Sequence, residues 1–248
     1  MLTDTLNDIL AHTHGLGFIE MLKIVGDNNE TKIEAMNEKK TVILYGTLKT
    51  PSEELVGTIG MARLAVLNGY LRFPPFQDDK ATVEVVTDTR NGEEIPKEIA
   101  FKAPGGHSSS YRFMSAEVAN EQIKVPVFRG SKWDVVVTPD EGNMKDLSYF
   151  AGILGAFEPV FVAKTEGSDL VLSIGSGSTD RARVPFAKGV SGSLAGRWAW
   201  PLVETLAILK LAAKASDCRM SFAEKGVMKI EVETAAGTYE YLLPAKSV

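Results

Sequence analysis

Helical and strand periods alternate along this chain in one arrangement that occurs four times: a short amphipathic helix, then strand runs separated by tight turns, with helical starts near residues 4, 60, 142 and 200. In the last, 199–214, Leu202, Leu206, Leu209 and Ala213 recur at helical spacing while Lys210 and Lys214 share another face. Pro201 suits a first helical turn, where its missing N–H costs nothing. The third, 143–156, opens at Asn143, a good N-cap type, and its apolar side runs Leu147, Phe150, Ala151 and Leu154. In the first, Thr3 or Asp4 can cap a segment carrying Leu6, Ile9 and Leu10, with Gly15 placed to end it. The second is short: Met61, Leu64, Ala65 and Leu67 before Gly69.

Between these helices the period changes to two. Strands are predicted at 18–25, 32–36, 41–47, 82–87, 98–102, 110–114, 160–165, 169–174, 181–186, 218–223, 227–233 and 238–243. Lys225-Gly226 and Ala236-Gly237 have the composition of hairpin turns. Short turns between neighbouring strands imply antiparallel pairing, so the fold class is α+β, with helices packed on one face of antiparallel sheets rather than a doubly wound parallel fold.

At 248 residues and 44% hydrophobic content the chain can bury one large or two ordinary cores. The repeat favours two similar domains, 1–115 and 133–248, joined by a connector at 116–132. No apolar run approaches the ~20 residues of a membrane span, and no basic stretch followed by an apolar core opens the chain. A soluble, cytoplasmic protein with no membrane partner is expected. Cys218, the single cysteine, sits in a strand pattern and reads as a small buried apolar residue.

Catalytic chemistry is sparse. His12 and His14 sit two apart at a helix end, on different faces, and read as solvated residues; no cysteine cluster accompanies them to hold a metal. His107 lies in a Gly/Ser loop that lacks the strand-turn-helix setting of an activated serine. Gly175-Ser176-Gly177-Ser178 precedes a strand rather than a helix, so it reads as a connection and not a phosphate cradle. Glu53-Glu54 and Glu93-Glu94 read as solvated turns beside Pro and Gly. The chain is expected to be no enzyme and to need no cofactor and no metal.

Charge refines this picture. A net charge of −5 argues against a generic basic nucleic-acid binder. Arg63, Arg72, Lys145, Arg197, Lys210 and Lys214 nevertheless gather on the second, third and fourth helices and their approaches. An acidic body with basic residues on selected helices is what a ring around DNA requires: phosphates are attracted at the inner wall without being gripped. Asp4 and Asp8 make the first helix an exception.

Several segments resemble the DNA sliding clamps that serve as polymerase processivity factors, most closely those of T-even phage, which are related to proliferating cell nuclear antigen. Tyr239-Glu-Tyr-Leu-Leu-Pro-Ala-Lys246 is similar to the clamp ending, and Lys145-Asp-Leu-Ser-Tyr-Phe-Ala-Gly-Ile-Leu154, with the strands that follow, resembles the start of the phage clamp's second domain. Tyr111-Arg-Phe-Met-Ser-Ala-Glu117 before a Pro-containing connector is also similar, whereas the Pro74-Pro-Phe-Gln-Asp-Asp79 loop departs from the pattern.

This resemblance implies a homotrimeric ring of six domains that encircles duplex DNA non-specifically and tethers the replicative DNA polymerase. An ATP-dependent clamp loader would open it. Arg63, Arg72, Lys145, Arg197, Lys210 and Lys214 would face DNA. Carrying the family's partner groove onto matching positions gives Met36, Val125, Val127, Met220, Tyr241, Leu243 and Pro244, of which Leu243 and Pro244 are expected to be exposed. Two rival classes use the same residues differently: a phage structural or assembly subunit built on its edge strands, or a small-ligand enzyme using the Gly/Ser loops.

Overall fold

A computed structural model of the chain describes residues 1–90 and 92–248; of Arg90 and Glu93 only the backbone is described. The chain divides into two compact units, one comprising Met1–Glu38, Leu44–Pro126 and Ala236–Thr238, the other Lys39–Ile43, Val127–Ala235 and Tyr239–Val248. Strand pairs are antiparallel, as the short turns predict.

Unit 1 begins with α1 (Leu2–Ala11), whose inner stripe Leu2, Leu6, Ile9 and Leu10 is buried. Met1 occupies the N-cap, Asp4 lies in the first turn, and the chain turns away through a short 3-10 segment ending at Gly17 in left-handed backbone, φ 82°. The helix thus ends at Ala11, four residues before the expected stop at Gly15. One sheet has the order β4-β1-β2-β3, with β1 (Met21–Gly26), β2 (Thr31–Met36), β3 (Ile43–Leu48) and β4 (Gly57–Ala62). Next come α2 (Leu64–Leu71) and a second sheet, β5-β6-β7, of β5 (Thr82–Arg90), β6 (Glu93–Lys102) and β7 (Ser108–Arg112). The unit closes with α3 (Ala116–Gln122), capped by the Ser115 hydroxyl, which accepts from Val118 N.

The second helix starts at Leu64, not near residue 60; Met61 belongs to β4. Its neighbour Gly60 explains the misreading. A Cβ there would lie 2.6 Å from the Ala119 Cβ on α3, so both faces of β4 are covered and Ile59, Gly60 and Met61 are buried in succession, without the period of two.

Unit 2 repeats the plan: β8 (Val135–Val137), α4 (Glu141–Leu154), β9 (Val160–Glu166), β10 (Asp169–Ile174), β11 (Ala182–Ala187), β12 (Ala195–Pro201), α5 (Leu202–Leu209), β13 (Asp217–Ala223), β14 (Val227–Glu233), β15 (Gly237–Pro244) and β16 (Lys246–Ser247). β11-β10-β9-β12-β16 form one sheet, and β15-β14-β13-β8 run side by side. Asp140, not Asn143, caps α4, accepting from Gly142 N and Asn143 N, while the Asn143 amide donates to Phe186 O at 2.7 Å and ties the helix to β11. Residues 199–201 end β12 rather than starting a helix, and α5 gives way at Lys210 to a 3-10 turn, Lys210–Lys214. In 3-10 geometry residues four apart stand about 120° apart, so Lys210 and Lys214 do not share one face.

Trp200 anchors this core, 5.5 Å from the Phe222 ring and 6.1 Å from Phe161. Gly226 makes the β13–β14 turn at φ 82°, and a Cβ there would meet the Trp198 ring at 2.9 Å. Cys218 is buried and its thiol is pushed up to about 12, first by loss of water and then by Asp217 and Glu231. No helix among the described residues is long and apolar enough to cross a membrane.

His12 departs from expectation. It is only 3% exposed, under the C-terminus of α1, and burial lowers its pKa to about 4. His14 is half-buried. The unfolded chain therefore binds a proton at His12 that the folded chain refuses between pH 6.5 and 4. Stability is full above pH 6.5 and falls as pH drops through that window, by on the order of 3 kcal/mol in all. Urea unfolding across this range should show that slope, and His12→Leu should flatten it; an unchanged slope in the variant would assign the acid sensitivity elsewhere.

Candidate functional site

The basic residues fall into two local settings. In unit 1, Arg63 and Arg72 flank α2 as its N-cap and C-cap residues, both exposed. Arg63 adopts left-handed backbone, φ 54°, one residue after the Ala62 carbonyl that accepts from the Tyr111 hydroxyl. Burial raises the Tyr111 pKa, so this phenol stays neutral beside the arginine. Arg72 complements the carbonyl end of the helix.

In unit 2, α4 and α5 pack against each other and leave between them an apolar groove of about 210 Å³, floored by Met144, Leu206, Leu209 and Ala213, with Lys145 and Lys210 among its lining residues. The structure thus brings these two lysines together. The Lys145 ammonium lies 2.8 Å from Glu141 one turn earlier, and that hydrogen bond raises its pKa. Exposed pairs of this kind are readily exchanged for another anion. Lys210 and Lys214 are exposed and form no ion pair among the described residues; Lys214 stands outside the groove lining. Arg197 lies on a strand, β12, exposed, with its carbonyl accepting from Val248 N at 3.1 Å. Tyr149 and Ile153 on the outer side of α4 and Phe157 in the turn that follows it are all exposed.

The expected partner-groove residues divide by burial. Val127 is 85% exposed, Pro244 is exposed, and Met36 and Val125 are half-buried. Met220, Tyr241 and Leu243 are 0% exposed. The expectation that Leu243 pairs with Pro244 at the surface is thus overturned for Leu243. The chain supplies its own cover: Ala245 N donates to Gly226 O, and β16 pairs with β12 through Trp198↔Ser247 and Ala199↔Lys246, so the last residues fold back over unit 2 instead of leaving β15 bare.

Two aromatic residues outside the expected groove positions meet at the end of the connector. Phe128 lies 6.0 Å from the Trp133 ring, and the Lys229 ammonium sits 5.9 Å from that ring's centroid on its other contact. Burial opposes the charge on Lys229, but Glu231 at 2.7 Å and Glu240 at 2.6 Å outweigh it, and its pKa is raised. This clamps the connector's end onto β14 by a cation–π contact and two carboxylates. Upstream, within unit 1, the Tyr45 hydroxyl donates to Pro126 O. The signal was there in the sequence as two aromatics five residues apart in a polar stretch.

No protein-family profile matches the chain, and no curated protein matches it significantly. Among solved structures it is similar to proliferating cellular nuclear antigen (PCNA) of Entamoeba histolytica, at TM-score 0.64 and 10% identity, over 99% of this chain and 95% of that one. PCNA of Thermococcus kodakaraensis gives TM-score 0.64 and 13% identity over 99% and 94%. The PCNA2–PCNA3 complex of Sulfolobus tokodaii gives 0.62 and 11% over the same shares. The chain therefore has the PCNA fold; at these identities the likeness is one of fold.

Burial of Leu243 makes it a stability position. Leu243→Ala should destabilise unit 2 by about 2 to 5 kcal/mol, the range for emptying a close-packed leucine site. Pro244→Ala should change stability by less than about 1 kcal/mol. Denaturant midpoints of the two variants check this, and equal midpoints would contradict the burial of Leu243.

Proposed function

We propose that this protein is a DNA sliding clamp of the T-even phage type, a ring of three identical chains that encircles duplex DNA and tethers a replicative polymerase without making or breaking a bond. The observation that carries the proposal is the likeness of fold to three PCNA structures along 99% of the chain, which leaves no room for an added catalytic domain within it. One of those structures is itself a complex of two PCNA chains, which favours assembly as the fold's working state. Within this chain, exposed Tyr149, Ile153 and Phe157 and the outer edge of β11, which no strand pairs among the described residues, give self-association something to cover.

In this reading Lys145, Lys210 and Lys214, with Arg63, Arg72 and Arg197, contact phosphates only. Exposed cations neutralise a backbone without reading bases, which suits movement along DNA. Val127 and Pro244 are the surface members of the proposed partner groove, with Met36 and Val125 partly accessible. Met220, Tyr241 and Leu243 act from beneath by fixing β13 and β15. The polymerase and an ATP-dependent loader are its proposed partners, in the cytoplasm.

Light scattering at high protein concentration should report three times the 26.9 kDa chain mass, falling on dilution if the ring dissociates. A monomer at every concentration, or a stable dimer, would sink the trimer. Lys210→Glu with Lys214→Glu should leave that mass unchanged while abolishing the stimulation of polymerase processivity; unchanged processivity would remove these lysines from the DNA-facing surface.

A further inference from the structure

The two units treat one equivalent edge differently. In unit 2 the strand after the second helix is β13, and its outer edge is paired with β8, Phe222 opposite Val135 and Met220 opposite Val137. In unit 1 the strand after the second helix is β5. It pairs with β6 on one side, and no strand lies on its other side among the described residues. Burial records the difference. Ile99 and Phe101 of β6 are 0% exposed, yet their cross-strand neighbours Val85 and Val83 are only half-buried. At the matching place in unit 2, Met220 and Phe222 are 0% exposed beneath β8's cover. The core face of β5 is thus short of one strand.

This edge is nine residues long and holds neither Pro nor Lys; Glu84 and Asp88 are exposed on it, and one register shift falls between Val86 and Thr87, so any strand that pairs here must tolerate two acids and a bulge. Over the face of β5 and its neighbour β6, against residues 53–56, opens a groove of about 450 Å³, with Val56, Val85 and Pro96 as apolar lining and the carboxylates of Glu53, Glu54 and Glu94 around them. Glu53 and Glu54 are exposed and form no ion pair among the described residues, and Glu94 is exposed on β6. The side chain of Glu93, expected at a solvated turn, lies outside the described residues.

We propose that the open edge of β5 docks an extended segment of a partner protein, which adds as a fourth strand, lays aliphatic side chains at alternate positions over Val83 and Val85, and brings a Lys or Arg to the acidic groove. Backbone pairing supplies the affinity, and the aliphatic alternation and the basic end supply the selection. β8 shows what fits: in unit 2 a run of three valines fills the equivalent place. The acidic groove adds a requirement that β8 does not meet, which points to a basic partner segment.

The probe is a synthetic peptide, Lys-Val-Thr-Val-Thr-Val-Thr-Lys, added to the full chain, with hydrogen–deuterium exchange as the readout. At about 1 mM peptide, exchange of residues 82–90 should slow by at least about tenfold, and a peptide of the same length with a central Pro should have no effect. Val85→Lys should weaken binding by about tenfold or more, and so should Glu53→Lys with Glu54→Lys, a pair of exposed positions that keeps the test valid if the first variant does not fold. No protection of 82–90, equal protection by the Pro-containing peptide, or binding indifferent to the charge reversals would overturn the proposal. Protection that appears with rising protein concentration and no peptide would assign the edge to a second copy of the chain and overturn it equally.

Discussion

An open antiparallel sheet ends in rows of unpaired peptide groups, and the arrangement of this chain follows from what is placed against them. In unit 2 the chain covers one edge with its own last residues, β16 on β12, and another with β8 on β13. Side chains hold the neighbouring turns. The Trp198 indole donates to Glu224 O at 2.7 Å beside the Gly226 turn, and Asp134, next to β8, accepts from Glu224 N at 2.8 Å. That backbone hydrogen bond, with Lys132 nearby, holds the Asp134 carboxyl below its usual range. Among the described residues, the outer edges of β11 and β5 have no strand beside them.

Helices then occupy the faces that the strands leave, and they divide their surfaces in a way that bears on function. Inner stripes such as Leu2, Leu6, Ile9 and Leu10 of α1 supply hydrophobic burial worth roughly 1.5 to 3 kcal/mol per side chain. Outer surfaces carry cations, Arg63 and Arg72 at the two ends of α2, and α4 leaves Tyr149 and Ile153 exposed. A net charge of −5 sets the body of the chain against phosphate, so the exposed cations on and beside the helices act locally. Exposed apolar and edge surfaces, by contrast, are expensive to leave in water and gain most from a partner.

The parts of this fold that were legible in sequence are those with one dry and one wet face. β10 and β14 run over Asp169–Ile174 and Val227–Glu233, where alternation or a short apolar run placed them. Misreadings fall where both faces are covered or where the ladder shifts. β4 lies under Ala119 of α3, and β12 shifts register against β9 between Ala195 and Ala199, so Ala199 and Trp200 are buried side by side and looked helical. The capping side chain of α4 was missed because Asp140 and Asn143 are equally good cap types, and the Asn143 amide turned out to be engaged by Phe186 O.

Site residues were less legible than the fold. Exposure of Leu243 was inferred from its nearness to the chain end, but tertiary pairing of the final residues decides it. His12 lies at a helix end yet is covered, since the chain that follows turns back through His14–Leu16 rather than running into solvent. Lys145 and Lys210, chosen for charge and helical context, do line one groove, because α4 and α5 pack side by side.

Retention on DNA of defined topology tests the central claim most directly. A clamp holds DNA by encircling it, so protein loaded on a nicked circle should remain through a high-salt gel-filtration column and leave once the circle is cut by a restriction enzyme, with end-blocked linear DNA restoring retention. Salt removes phosphate contacts but not a topological link. Retention that is equal on cut and closed DNA, or lost from both at high salt, would show binding by contact and contradict the account.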